Sequence, residues 1–412
     1  MACCNKFLTR TAIVALLAGL LAGCGGGGGG SAATPAPPPV PPAASNVMVA
    51  SVDGGPANSG YNVNRLFVDV KICQPGSSQC LTIDHVLLDT GSTGLRLLSS
   101  LVKPALSLDK LTGATGFPLF NCAQFVDSTF AWGTVVAADI VLGGKTASAV
   151  PIQLIADPAA GRAPSACSVG GTEMTSAADL GANGILGMGL FRDDCGSGCQ
   201  YTFHNGFYYT CSSASCSSTT GVKVGVAQQL KNPVPLFATD NNGMLLDLPE
   251  AGAGTVTGLK GSLIFGIGTQ SNNQPTGTRV LSTNASGYLT TLLGGQSMSG
   301  SFLDTGSNGL FFDSSSIPVC PDSTGFYCPA ALTSLSATLV GANQARAAIT
   351  FTIDNASAMF GNASRVVLPN LSGPFGDPTS FDWGLPFFYG RRVFIGIEGQ
   401  PSSLGSGPYY AF

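Results

Sequence analysis

Histidine is almost missing from this chain: 412 residues hold only His85 and His204. Two such distant side chains argue against a histidine-based zinc site. They also leave few candidates for a Ser-His-Asp triad, and no G-x-S-x-G elbow occurs. Charge is scarce too. Asp, Glu, Lys and Arg make up 10% of the residues and the net charge is −4. No basic run follows the first residues, so nothing here attracts nucleic acid. Gly143-Gly144-Lys145-Thr146 looks like the end of a phosphate loop, but Asp139 stands where that loop needs its first glycine. Long amphipathic helices are wanting as well. What is plentiful is apolar residues (44%), glycine (56) and proline (26). That mixture excludes global disorder and fits many short strands joined by turns.

The N-terminus reads as an address. Lys6 and Arg10 precede an apolar run from Thr11 to Leu21, followed by Leu21-Ala22-Gly23-Cys24. The run is too short for a permanent membrane helix, so a cleaved signal is expected. Its ending resembles a bacterial lipobox, in which the cysteine becomes the lipidated first residue. An ordinary signal with Cys24 incidental is the alternative. A lipidated Cys24 implies attachment to a membrane by acyl chains, and by the sorting rule for such motifs Gly25 points to the outer membrane. Gly25–Gly30 and the six prolines between Pro35 and Pro42 then make a tether over residues 25–45.

Cysteine usage agrees with export. Of 13 cysteines, Cys3 and Cys4 fall in the leader and Cys24 takes the lipid, leaving an even number. Cys73 with Cys80, Cys320 with Cys328 and Cys122 with Cys167 are the expected pairs. Cys195, Cys199, Cys211 and Cys216 form a cluster of open connectivity. A metal site is one reading of the four and a disulfide-stapled loop the other, favoured in an exported chain. No metal and no cofactor are expected.

The folded body starts near Asn46. In Leu66-Phe67-Val68-Asp69-Val70-Lys71-Ile72 the apolar residues alternate with Asp69 and Lys71, the period of a strand. Pro75-Gly76-Ser77-Ser78 is a turn, and Leu81 to Leu88 returns as a second strand. The most informative feature is a repeat. Leu88-Asp89-Thr90-Gly91-Ser92-Thr93-Gly94-Leu95 recurs as Leu303-Asp304-Thr305-Gly306-Ser307-Asn308-Gly309-Leu310. Each copy follows apolar residues and precedes more. The two copies are far too distant for a solenoid, so they read as one duplicated unit with one copy in each of two lobes.

One D-T-G-S is an ordinary Asx-type turn. Two copies bring a pair of carboxyls, which is what amide hydrolysis asks for: a base to activate water and an acid for the leaving amine. Carboxyls held in contact cannot both ionise, so they share a proton. With these motifs the chain resembles the pepsin-like aspartic peptidases. The resemblance implies an all-β, bilobal pepsin-like acid protease fold, with the active cleft between an N-terminal lobe at 46–268 and a C-terminal lobe at 269–412. It implies Asp89 and Asp304 as the catalytic pair, with Gly91 and Gly306 bringing backbone N–H groups close. It further implies Thr90 and Thr305 bonding across the lobes, and Ser92 and Ser307 donating to the outer carboxylate oxygens. Ile185-Leu186-Gly187 and Asp382-Trp383-Gly384 look like the elements that thread beside each D-T-G loop. Phe265–Asn273 and Asp240-Asn241-Asn242-Gly243 are similar to a bacterial lipoprotein family placed near the pepsins. Two departures stand out. Arg96 occupies the place of a tryptophan that supports the flap, and no tyrosine occurs between Asp89 and Gly184. The flap is expected within Cys122–Gly144, with Phe125, Phe130 or Trp132 at its tip.

The expected function is therefore an aspartic endopeptidase acting on a peptide or protein substrate. The alternative is an inactive scaffold of the same fold that binds a protein, peptide or glycan at the cell envelope. A monomer suffices for either, since one chain supplies both motifs. Asp193-Asp194 reads as a solvated pair, and Tyr208-Tyr209 and Tyr409-Tyr410 as packing or surface aromatics.

Overall fold

The computed structural model describes residues 45–203, 207–211, 221–252, 257–322 and 325–412. The leader, Cys24, residues 25–44 of the tether, His204 and Cys216 lie outside the described residues. No described helix is long and apolar enough to cross a membrane.

The described chain is all-β, with helices of five residues at most. Two sheets dominate, one of 15 strands and one of seven. The first hairpin follows from its residues. Strand Leu66–Cys73 buries Leu66, Val68, Val70 and Ile72 and exposes Asp69 and Lys71. It pairs antiparallel with Cys80–Asp89, and Cys73 faces Cys80 in register and is bonded to it. Three further disulfides join Cys122 to Cys167, Cys195 to Cys199 and Cys320 to Cys328. Cys211 is disulfide-bonded as well. The expected cluster of four thus stands as two-residue staples as far as its described members go. Among the described residues no group of three metal-ligating side chains gathers.

One local arrangement occurs twice. Strand Gly184–Met188 runs parallel to Cys80–Asp89 on one edge and antiparallel to Thr93–Leu98 on the other. The Asp89 turn is the link between those two flanking strands. In the second half, Phe381–Trp383 runs parallel to Gln296–Leu303 and antiparallel to Leu310–Phe312, and the Asp304 turn links them. A strand threaded between the two arms of a turn holds that turn on both sides. Apolar packing backs each copy. Leu88, Leu95 and Leu186 are buried in the first. In the second, Phe312 stacks on Phe381 and Phe381 on Trp383, with ring centroids 4.6 and 4.0 Å apart.

Between these halves the larger sheet contains six antiparallel strands drawn from distant parts of the chain. Val47–Val52 pairs Leu259–Phe265, which pairs Gly243–Leu248, which pairs Arg391–Gly396. Tyr409–Ala411 and Val280–Ser282 complete the series. Tyr410 from this section donates to the carbonyl of Leu303, 3.2 Å away and one residue before Asp304. All of Tyr208, Tyr209, Tyr409 and Tyr410 are buried, so these pairs are core and not surface.

Candidate active site

The two turns meet. Thr90 N–H donates to Thr305 Oγ1 at 3.1 Å, and Thr305 N–H donates to Thr90 Oγ1 at 3.0 Å. Each threonine hydroxyl passes its own proton onward, Thr90 to the carbonyl of Leu303 (3.1 Å) and Thr305 to that of Leu88 (2.6 Å). All four bonds are buried. Each threonine hydroxyl is donor and acceptor at once, so three polar groups on either side, an N–H, a hydroxyl and a leucine carbonyl, bond to the other. Leaving one of them unmade in this interior costs about 1–3 kcal/mol.

This clasp carries the carboxyls. Gly91 N–H donates to Asp89 Oδ1 at 2.8 Å and Gly306 N–H to Asp304 Oδ1 at 2.7 Å. Ser92 donates to Asp89 Oδ2, and Ser307 to Asp304 Oδ2 at 2.9 Å. The approach is so close that only glycine fits. A Cβ on Gly91 would lie 2.8 Å from Asp304 Cγ, and one on Gly306 would lie 2.7 Å from Asp89 Oδ1. Asp89 and Asp304 are themselves hydrogen-bonded to each other. Burial raises Asp304 well above the usual carboxylate range, and the neighbouring charges of Asp89 and Asp382 add to the rise. The coupled pair holds a proton where an exposed aspartate would have lost it, and that proton belongs to the pair.

Two further charged groups bear on the pair. Asp382, on the threaded strand of the second half, is 1% exposed. Arg65 is half-buried, and its guanidinium lies within electrostatic reach of Asp127, Asp89 and Asp304. Burial lowers Arg65 from the ordinary arginine value while these three carboxylates oppose the shift. Neither residue stood out as a charged neighbour of the site in the sequence. Arg65 precedes a strand with no motif around it, and Asp382 sits inside an element read by its apolar neighbours.

The flap region forms from Leu119–Gln124 and Thr129–Leu142, paired antiparallel. Its turn is residues 125–128, so Phe125 is at the tip, half-buried against a cluster that includes Leu98 and Ile185. Phe130 and Trp132 are not at the tip. Both are buried on the returning strand, where Trp132 stacks on Phe120 and donates to the carbonyl of Ala160. A bulky ring on a half-buried hairpin gains more from packing than from standing free.

Arg96 is buried behind this hairpin. It donates to the carbonyl of Thr93 at 2.8 Å and pairs with Asp194 Oδ2 at 3.6 Å. Tyr208 donates to Asp194 Oδ1 at 2.7 Å, and Asn121 of the flap strand to Oδ2 at 3.3 Å. Asp194 is therefore not solvated as its sequence suggested. Burial pushes it up to about 6, against the pull of Arg96, Tyr208 and Asn121. Tyr208 lies on a short strand, Tyr208–Thr210, that adds to the flap edge opposite Asn121. A tyrosine thus reaches this region from far along the chain, together with an arginine and an acid.

Among solved structures, an aspartic proteinase from Irpex lacteus is similar, with a TM-score of 0.49 and 15% identity over 89% of this chain and 96% of that one. Basic 7S globulin from soybean is similar with a TM-score of 0.44 and 10% identity over the same shares. Comparison with curated proteins returns no match. The sequence from residue 42 to residue 412 matches one family along its whole folded body, and the chain belongs to that family, described as "Protein of unknown function (DUF3443)".

Proposed function

We propose that this chain is an aspartic-type endopeptidase of the cell envelope, exported and tethered to the outer membrane through a lipidated Cys24. The supporting observation is the buried threonine clasp, which holds Asp89 and Asp304 in hydrogen-bonding contact. With one proton between them, the ionised carboxyl takes a proton from water as the water attacks the scissile carbonyl. The protonated carboxyl polarises that carbonyl, and the leaving amine receives the proton. Gly91 and Gly306 N–H, with Ser92 and Ser307, hold both carboxyls in place throughout.

The test is cleavage of an unfolded protein at mildly acid pH. Wild type is expected to cleave, and Asp89→Asn or Asp304→Asn each to abolish cleavage with an unchanged circular dichroism spectrum. Cleavage that persists in both variants rules out the pair. A second reading is a silent scaffold that binds a protein, peptide or glycan. The buried Arg96, in the place of a flap-supporting tryptophan, and the inward-packed Trp132 favour it, since neither stands free to close over a substrate. No cleavage by wild type across a broad panel of substrates selects that reading.

A further inference from the structure

The chain ahead of the first hairpin crosses to the other half of the molecule. Val63 is buried in a cluster with Cys320, Met359, Leu368 and Leu371. Asn64 follows it, fully buried, just before the strand Leu66–Cys73. The Asn64 side chain makes four hydrogen bonds, all to the second half. Its nitrogen donates to the carbonyls of Asn308 at 2.7 Å and Leu368 at 2.8 Å. Its oxygen accepts from the N–H of Leu368 at 2.7 Å and from the hydroxyl of Tyr389 at 2.9 Å. The backbone N–H of Asn64 adds a bond to the carbonyl of Val366 at 2.8 Å.

Two features select asparagine here. A carboxamide has two donor protons and an oxygen with two lone pairs, and all four are used. The Leu368 N–H can only donate and the two carbonyls can only accept, so the partners fix which way the amide points. The backbone of Asn64 has a φ of 50°, in the left-handed region that asparagine tolerates better than most residues. Such an amide cannot turn without breaking buried bonds.

The partner with a bearing on the site is Asn308. In the repeat it takes the place of Thr93, four residues past the aspartate. One carbonyl earlier the two halves agree. Gly189 N–H holds the Ser92 carbonyl at 2.9 Å, and Leu385 N–H holds that of Ser307 at 2.8 Å. At the next carbonyl they part. That of Thr93 is held at 2.8 Å by Arg96, from its own half. That of Asn308 is held by Asn64, from the other half. The first half therefore grips the Asp304 turn at two points along its length, Thr305 and Asn308.

We propose that Asn64 is a positioning residue for the carboxyl pair: by holding the Asn308 carbonyl it fixes the Asp304 turn against the first half, and so sets how closely Asp304 meets Asp89. The kinetic consequence rests on the endopeptidase reading. The seating of the turn does not.

The test uses the full-length protein carrying Asn64→Gly, which keeps the left-handed backbone and removes the amide. Val63→Ala is the control, since it thins the same docking segment without touching the turn. The first readout is kcat and KM on a peptide that wild type cleaves, per folded molecule. Asn64→Gly is expected to lower kcat by about tenfold or more with KM nearly unchanged, because a displaced carboxyl harms the reaction and not the binding. Val63→Ala is expected to lower stability and leave kcat as it was. An unchanged kcat in Asn64→Gly, or an equal loss in both variants, overturns the proposal. The second readout is a carbon-13 NMR titration of the aspartate carboxyls, with Asp89→Asn and Asp304→Asn identifying the pair. Carboxyls in contact lose their protons at well-separated pH values, and carboxyls drawn apart lose them at closer ones. The separation is expected to narrow by about one pH unit or more in Asn64→Gly and to hold in Val63→Ala. A pair that titrates alike in wild type and Asn64→Gly overturns the proposal, whether or not any peptide is cleaved. If wild type cleaves nothing, the endopeptidase reading fails and the titration alone decides the role of Asn64. Should Asn64→Gly not fold, Tyr389→Phe removes one of the four bonds and is expected to move both readouts the same way by less. No movement in either then overturns the proposal.

Discussion

The two halves of the molecule carry the same D-T-G-S turn, yet each buries a charge where the other has an apolar side chain. In the first half Arg96 stands opposite Ile185. In the second Phe311 stands opposite Asp382. The turns match because each must satisfy the other's threonine and hold one carboxyl at contact distance. The flanking slot has no such obligation. It tolerates a charge provided that something neutralises it, and the two halves use different means. Arg96 has a buried counter-ion in Asp194, and Asp382 keeps its own proton.

The largest effect is expected from breaking the first of these devices. Arg96→Leu leaves Asp194 buried without its cation, which costs about 3–5 kcal/mol. Urea unfolding at neutral pH measures it. Adding Asp194→Asn to that variant is expected to recover most of the loss, and equal losses in single and double variants would show that Arg96 acts by packing alone.

The second device is read from the pH dependence of stability. The folded protein holds the Asp382 proton up to about pH 8, whereas the unfolded chain releases it near the usual aspartate value. The native state therefore binds more protons across that window, and stability falls as pH rises through it. Asp194 contributes a fall of the same sign that ends near pH 6. Asp382→Asn is expected to leave stability at pH 4 nearly unchanged and to raise it at pH 8 by up to about 5 kcal/mol, at about 1.4 kcal/mol per pH unit over that window. Thermal melts across the range measure this, and a slope unchanged above pH 6 would assign the fall to Asp304.

A smaller effect tests what the halves share. Thr90→Val and Thr305→Val each remove one hydroxyl of the clasp and are expected to cost about 1–3 kcal/mol. Because the bonds are mutual, the double variant should cost less than the sum of the two. Unequal single losses would show that one half carries the clasp.

The residues of the clasp were legible in the sequence because their roles are local. A turn that bonds its own carboxylate needs Asp, Gly and Ser at fixed short spacing, and a duplicated turn repeats them. The same holds for Cys73 and Cys80, which face each other across one hairpin. Arg96 and Asp194 gave no such signal. They lie 98 residues apart, and their contact exists only after the flap strand and the strand Tyr208–Thr210 have paired. Trp132 was misplaced because its hairpin buries both faces near the turn, so alternation along the strand does not tell tip from core. Asp382 was visible as a letter, but its burial depends on the threading of Phe381–Trp383 between two other strands.

The six-stranded middle section has a consequence for when the site exists at all. Val47–Val52 pairs along its whole length with a strand more than 200 residues later, and one edge of Gly243–Leu248 waits for Arg391–Gly396. Tyr410, whose hydroxyl supports Leu303, lies 107 residues further along the chain. Until those pairings form, the chain has each turn but not the clasp between them. Such long-range pairing is slow to form. The paired carboxyls therefore come together late in folding.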